Sequence, residues 1–393
     1  MHKTMKYISF LWPLYLGEFL RSLSFFVPIW MLFFQARGLS LAEIGLVVSG
    51  TYIASVILEY PSGIFADKYG RKFSLAISVF LNTIALIVEV TAHSTTQFFV
   101  GALLIGASWA FTSGAREALI YDSLKEKKLE KQNSKVLGSL DTIGAVGGIL
   151  AALFGSLFFT INNTIPYWIS IGAYSLTFVS FIFIKEPGYH KKEEKIHFYN
   201  HFKDGLRTLI RNPVLVSLVI LYVPLFFFEE AWYNAQQPII IGLGLPVVLL
   251  GLYQAFKTIF FGLGGSFLPK LCEKLSYKKL IFMIIIAEAF VWIFLGFNNL
   301  YLVIIFSYFL LLIHQLWNYM DAGIIHEHIP SNIRATTLSA RQFLISLVWI
   351  FNPWLMGYLV NEFNRNYLFP VFGILVLAIG LAIFISRRKY LNS

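Results

Sequence analysis

Long apolar runs separated by short polar breaks make up most of this chain. The runs are continuous rather than alternating, and each is too long for a strand. A helix needs about 20 apolar residues to cross a hydrocarbon layer of about 30 Å. Twelve runs meet that length, at 7–35, 42–66, 73–92, 97–121, 136–160, 165–185, 213–237, 246–269, 278–297, 300–326, 333–360 and 367–386. The first reads as a span and not as a cleaved leader, because its apolar stretch continues to about Gln35 with Glu18 and Arg21 inside it. The breaks are short, as inside a helical bundle, except for 186–212, EPGYHKKEEKIHFYNHFKDGLRTLIRN. The pattern predicts an all-α membrane protein of two six-helix halves, 1–185 and 213–393. Residues 186–212 form the cytoplasmic linker between them, with a short amphipathic helix lying on the membrane surface.

Composition supports this. Of 393 residues, 57% are hydrophobic and 13% charged, whereas soluble domains carry about 25% charged residues. The net charge of +10 would suit nucleic acid, but its placement argues otherwise. With the N-terminus in the cytoplasm, 25 of the 31 Lys and Arg fall on that side, and the opposite loops hold only Arg37 and Arg365. That is the positive-inside pattern. It predicts a multi-pass protein of the cytoplasmic membrane, with both termini cytoplasmic and no nucleic-acid partner. The lone cysteine, Cys272, allows no intrachain disulfide. His190, His197, His201 and the HEH of 326–328 lack zinc-ligand spacing, so no metal or other cofactor is expected.

The chain also repeats itself. Asp67-Lys68 and Arg71-Lys72 follow the second run; Glu273-Lys274 and Lys278-Lys279 follow the eighth, with Asp67 and Glu273 206 residues apart. Parallel repeats of this kind are a transporter architecture.

The segment GIFADKYGRK, 63–72, puts Asp, Lys, Arg and two Gly between oily runs. It resembles the loop after span two of the major facilitator superfamily, G-x-[LF]-A-D-[RK]-x-G-R-[KR]. Gly63, Phe65, Ala66, Asp67, Lys68, Gly70, Arg71 and Lys72 all fit. EYPSG and SGAREALIYDSL are similar to stretches of bacterial drug-exporter-like members. The resemblance implies twelve helices as two pseudo-symmetric six-helix bundles, no enzymatic activity, and transport by alternating access. The residues agree physically: Gly63 would allow close helix approach, and Gly70 can turn with positive φ. Asp67 can accept from the amides of another helix N-terminus. The resemblance places that partner at the start of span eleven, where Ser331 or Asn332 can cap. Arg71 can bridge to Asp122 at the end of span four. Together these residues would latch an outward-facing state. The match has gaps. Ala102 stands where many members carry Arg, and Ile143 and Gly144 stand ahead of Gly147-Gly148 where drug–proton antiporters carry Gly-Pro.

Ionisable groups inside spans mark functional sites by default. The resemblance puts spans one, four, seven and ten around the central cavity, with two, five, eight and eleven beside them. On those helices lie Glu18, Arg21, Glu229, Glu230, Asp321, Lys257 and Arg341. Glu18 and Arg21 share a helical face three residues apart, as a proton or substrate site or as a structural ion pair. Glu229 and Glu230 point about 100° apart, so at most one faces the cavity. Trp232, Tyr233, Asn234, Gln236 and Gln237 add aromatic and hydrogen-bonding surface suited to an organic solute, or an interfacial aromatic belt. His314, Trp317, Asn318 and Asp321 form one stripe of span ten. Lys257 and Arg341, with Arg21, offer cations to an anion or neutralise nearby acids. The reading is a monomeric secondary transporter, exporting amphipathic compounds coupled to protons taken up at Glu18 or at Glu229/Glu230. The alternatives are an anion or zwitterion carrier, or a membrane receptor.

Overall fold

A computed structural model describes residues 2–188, 198–329 and 331–391; the side chains of 2–9, 198–204, 326, 331–336 and 339 lie outside that description. Among the described residues every regular element is helical. The α-helices are α1 His2–Ser22, α2 Trp30–Ala36, α3 Leu41–Tyr69, α4 Arg71–Thr91, α5 Thr95–Thr112, α6 Ala115–Glu126, α7 Asn133–Ile161 and α8 Ile165–Ile182. There follow α9 Phe198–Arg211, α10 Pro213–Phe226, α11 Glu229–Tyr233, α12 Gln236–Gly242, α13 Leu250–Lys274, α14 Tyr277–Leu295, α15 Leu300–His328, α16 Ser331–Glu362 and α17 Arg365–Arg387. Among the described residues, ten helical stretches are long and apolar enough to cross a membrane. They correspond to spans two to eight and ten to twelve. Span one is carried by α1 and α2, and α1 holds Lys6, Glu18 and Arg21. Span nine is α14, which includes Lys278, Lys279 and Glu288.

Two compact units divide the chain. One comprises Met1–Leu39, Leu46–Glu194 and Pro246–Ala255; the other comprises Ser40–Gly45, Lys195–Leu245 and Phe256–Ser393. In the first, α1 packs on α7 and α8, and α4 on α5 and α8. In the second, α14 packs on α15 and α17, while α9 runs along α16. Close approach in the first unit comes from Gly106, where a Cβ would strike the Thr51 carbonyl. Gly63 does not have the role expected of it. A Cβ there would meet nothing within 4 Å.

The repeat is visible in the backbone. Gly38 and Gly244, 206 residues apart, both turn with positive φ, +91° and +101°. Each closes the end of a seven-residue helix, α2 or α12. The next residue bonds back in the same way, Leu39 N–H to the Phe34 carbonyl and Leu245 N–H to the Ile240 carbonyl, a helix stop that glycine favours. Ser94 and Asn299 cap α5 and α15, each accepting from the amide three residues on.

Three runs predicted as single helices are interrupted. Span one stops at Ser22, where the Ser24 hydroxyl takes the Arg21 carbonyl at 2.8 Å and competes with the helical ladder. Span four breaks at Ser113–Gly114, with Gly114 at φ +69°. Span seven, with Pro224 inside α10, is split into α10, α11 and α12. Hydropathy does not mark these breaks, because the residues at them are mostly apolar.

Candidate functional site

Each unit holds its own cluster of charged groups within the apolar helices. In the first unit, Glu18 of α1 accepts from Arg21 at 2.8 Å and from Arg116 of α6 at 3.3 Å. Arg116 also donates to Asp141 of α7 at 3.0 Å and to Glu117 at 3.4 Å. Glu18 and Arg116 are largely buried, whereas Glu117 and Asp141 are exposed. Gly144 of α7 leaves room for this cluster: a Cβ there would lie 3.2 Å from Ser22 Oγ and 3.5 Å from Glu18 Oε1. Arg116 was not among the sequence-read candidates; its signal was a solitary arginine inside the 97–121 run.

At one end of the same unit Arg71 meets Asp122. The Glu186 carboxylate accepts the backbone N–H groups of Arg71 at 2.9 Å and Lys72 at 2.8 Å. It thereby satisfies two free amides at the N-terminus of α4, where the helix dipole is positive. Gly70 lies at φ +107°, ψ 150°, a region essentially closed to other residues. A Cβ there would approach Glu186 Cδ to 3.0 Å. Asp67 is exposed, and the side chains of Ser331 and Asn332, its expected partners, lie outside the described residues.

The second unit gathers most of the remaining candidates. Glu229 of α11 bonds His314 of α15, with Oε2 2.8 Å from Nδ1. The His314 ring stands edge-on to Phe226 and Tyr222, with centroids at 4.7 and 6.3 Å, and Trp317 packs on the same two rings. Arg341 of α16 donates to Asp321 at 2.6 Å and sits 6.0 Å from the Tyr222 ring centroid. Lys257 of α13 donates to Gln236 at 3.1 Å. Tyr222, Phe226 and Trp349 (which packs on Tyr222) were not anticipated from sequence. In an apolar run, aromatic residues that line a site look like those of any core.

Not every candidate joins this cluster. Trp232 is buried edge-on against Phe369 of α17, with centroids at 6.5 Å. Tyr233 and Asn318 are exposed, and Glu230 is buried. Asn234 is fully buried and donates to the Pro353 carbonyl at 3.3 Å. In return Asn352 donates to the Phe227 carbonyl at 2.8 Å. That carbonyl lies at a helix break, where the Ala231 amide turns to Phe228 instead. The two asparagines thus bind the broken span seven to α16. An Asn-Pro pair in mid-run, FNPW, was the available signal.

The latch-like contact has a counterpart in the second unit. Tyr277 begins α14 as Arg71 begins α4, 206 residues earlier, and its hydroxyl donates to Glu327 at 2.7 Å. Glu327 stands 205 residues after Asp122.

The sequence profile of the Major Facilitator Superfamily matches residues 14–322. This chain belongs to the Major Facilitator Superfamily. Its long apolar helices make it a multi-pass membrane protein of that family. An uncharacterized MFS-type transporter of Bacillus subtilis, YxaM, is 26% identical over 253 residues, 62% of this chain and 60% of that one. The quinolone resistance protein NorA of Staphylococcus aureus is 22% identical over 207 residues, covering 52% and 51%. The chain therefore spans between half and two thirds of the length of these relatives. Among solved structures, the nucleoside transporter NupG aligns over 96% of this chain and 98% of its own, with TM-score 0.77 and 15% identity. A D-xylose–proton symporter aligns over 96% of both chains, with TM-score 0.68 and 14% identity. These likenesses establish the major facilitator fold.

Proposed function

We propose that this transporter is a secondary active exporter of amphipathic organic compounds, driven by protons moving the other way. The observation that carries the reading is the Glu229–His314 pair, 2.8 Å apart and partly exposed, set against the rings of Tyr222 and Phe226. An imidazole hydrogen-bonded to a carboxylate can take and release a proton near neutral pH. Adjacent aromatic faces suit the apolar body of an organic solute. Glu18, between Arg21 and Arg116, is the second proton site of the proposal. Likeness to a quinolone resistance protein supports drug-like cargo.

The charge balance disfavours an anion carrier. Arg21 is paired with Glu18 and Arg341 with Asp321, and Lys257 is hydrogen-bonded to Gln236. In the first cluster three acids, Glu18, Glu117 and Asp141, face two cations, Arg21 and Arg116, which favours protons or organic cations over anions. We further read Arg71–Asp122, with Asp67, as a latch on the outward-facing state. In this reading the basic loops favour cytoplasmic termini, and the halves 1–185 and 213–393 move as bodies about the 186–212 linker.

The test is flux in proteoliposomes. With an acidic lumen, vesicles holding the protein should accumulate ethidium or a fluoroquinolone and lose lumenal protons as they do so. Accumulation indifferent to the gradient overturns the coupling, and binding without flux would make the protein a receptor.

A further inference from the structure

We infer that a polar cavity inside the first unit is a hydrated path by which protons reach Glu18, an inference that rests on the proton-coupled reading above. The cavity measures about 410 Å³. Its wall includes Arg21 of α1, Ser78 and Asn82 of α4, Ser108 and Thr112 of α5, and Glu117 of α6. Cavities that stay dry are apolar; a polar one of this volume has room for on the order of ten waters, at about 30 Å³ each. In a membrane-embedded bundle such a polar void needs a purpose, since packing it with apolar side chains would be the stable alternative.

The wall is built to relay a proton. Thr112 Oγ1 lies 2.5 Å from Ser78 Oγ, Ser78 Oγ 3.4 Å from Ser108 Oγ, and Asn82 Nδ2 donates to Ser108 Oγ at 3.3 Å. Hydroxyls both donate and accept, so water ordered along them can pass a proton by exchange of hydrogen bonds. The lining includes Arg21, whose guanidinium donates to Glu18 at 2.8 Å. It also includes Ser113 and Gly114 at the α5–α6 break and the exposed Glu117, which meets Arg116 beside Glu18. The charged groups around Glu18 are Arg21 on its own helix, Arg116 of α6 and, through Arg116, Glu117 and Asp141 of α7. From α8, Tyr174 lines the cavity and bonds Ser24 at 3.0 Å. Three carboxylates against two guanidinium groups leave the cluster attractive to a hydronium ion.

The experiment uses the full chain. In a Cys272→Ser background, Asn82→Cys and Thr112→Cys should react with a small cationic methanethiosulfonate at least about tenfold faster than Leu176→Cys, which stands on an apolar face of α8, because modification follows access. Equal rates overturn the inference. In proteoliposomes, Asn82→Leu should slow ethidium-coupled proton efflux by about tenfold with the KM for ethidium unchanged; full proton flux overturns it. Wild-type vesicles that carry ethidium without moving protons would overturn the coupled reading and the path with it, while fast-reacting cysteines would still mark a hydrated cavity.

Discussion

The side-chain amide of Asn352 donates to the backbone carbonyl of Phe227 at 2.8 Å. The bond lies where span seven is broken, two residues before the Glu229 that meets His314. A helix break inside an apolar bundle leaves carbonyls without partners, and a buried carbonyl left so loses about 1–3 kcal/mol. Asn352→Leu should therefore lower stability by about that much. A thermal melt in detergent would measure it. If α11 is also displaced, the pH profile of ethidium transport should shift; an unchanged profile would confine Asn352 to a structural role.

Arg116 holds three acids at once. Arg116→Gln should leave Glu18 buried without its second cation and destabilise the first unit by roughly 1–3 kcal/mol. Asp141 is exposed, so Asp141→Asn alone should cost about 0–1 kcal/mol. Melting temperatures of the two variants, measured side by side, check the ranking.

The Arg341–Asp321 pair is more deeply buried on both sides. Removing one partner of such a pair is expected to cost roughly 3–5 kcal/mol, because the other charge stays behind. Arg341→Gln should thus be severe, and Asp321→Asn in the same chain should recover part of the loss. A double-mutant cycle read by thermal unfolding would show the coupling.

Tyr277 stands ahead of the apolar run of α14 and gives a pH prediction. Burial first, then its hydrogen bond to Glu327 and the negative charge of that residue, push its phenol up to about 12. A phenol with its pKa raised in the folded state stabilises that state fully below its ordinary value of about 10, and the contribution disappears as pH rises through about 12. The alkaline limb of a stability profile should therefore be shallower in Tyr277→Phe than in wild type. Identical alkaline limbs would refute the contact.

Gly70→Ala tests the turn between α3 and α4. At φ +107° the new methyl meets a backbone penalty of about 1–3 kcal/mol and crowds Glu186. Lower stability should be accompanied by weaker protection of the Arg71 and Lys72 amides in hydrogen exchange.

The bilayer makes some of this protein easy to read from sequence. Helix length across a hydrocarbon layer is a strong constraint, so the runs at 42–66 or 300–326 become α3 and α15 with little change. Near neighbours on one helix are also legible, as with Glu18 and Arg21 three residues apart. Partners distant in sequence are not. Glu18 and Arg116 lie 98 residues apart, and nothing in either segment names the other. The breaks in spans one and seven were hidden for a different reason. Residues such as Phe25 and Phe227 are equally at home in a helix or a turn once both are shielded from water. Gly63 shows the opposite error, a motif glycine credited with a contact that Gly106 makes instead.

Gly38 and Gly244 remain the clearest sign of how this chain came to be long enough for its task. Both occupy a corner that side-chain-bearing residues resist, at the same step of two successive six-helix passages. A polypeptide that meets its hardest local geometry twice with one answer has the economy of a duplicated module, free to let the copies diverge in charge, as Arg71 and Tyr277 have, while the corners stay as they were.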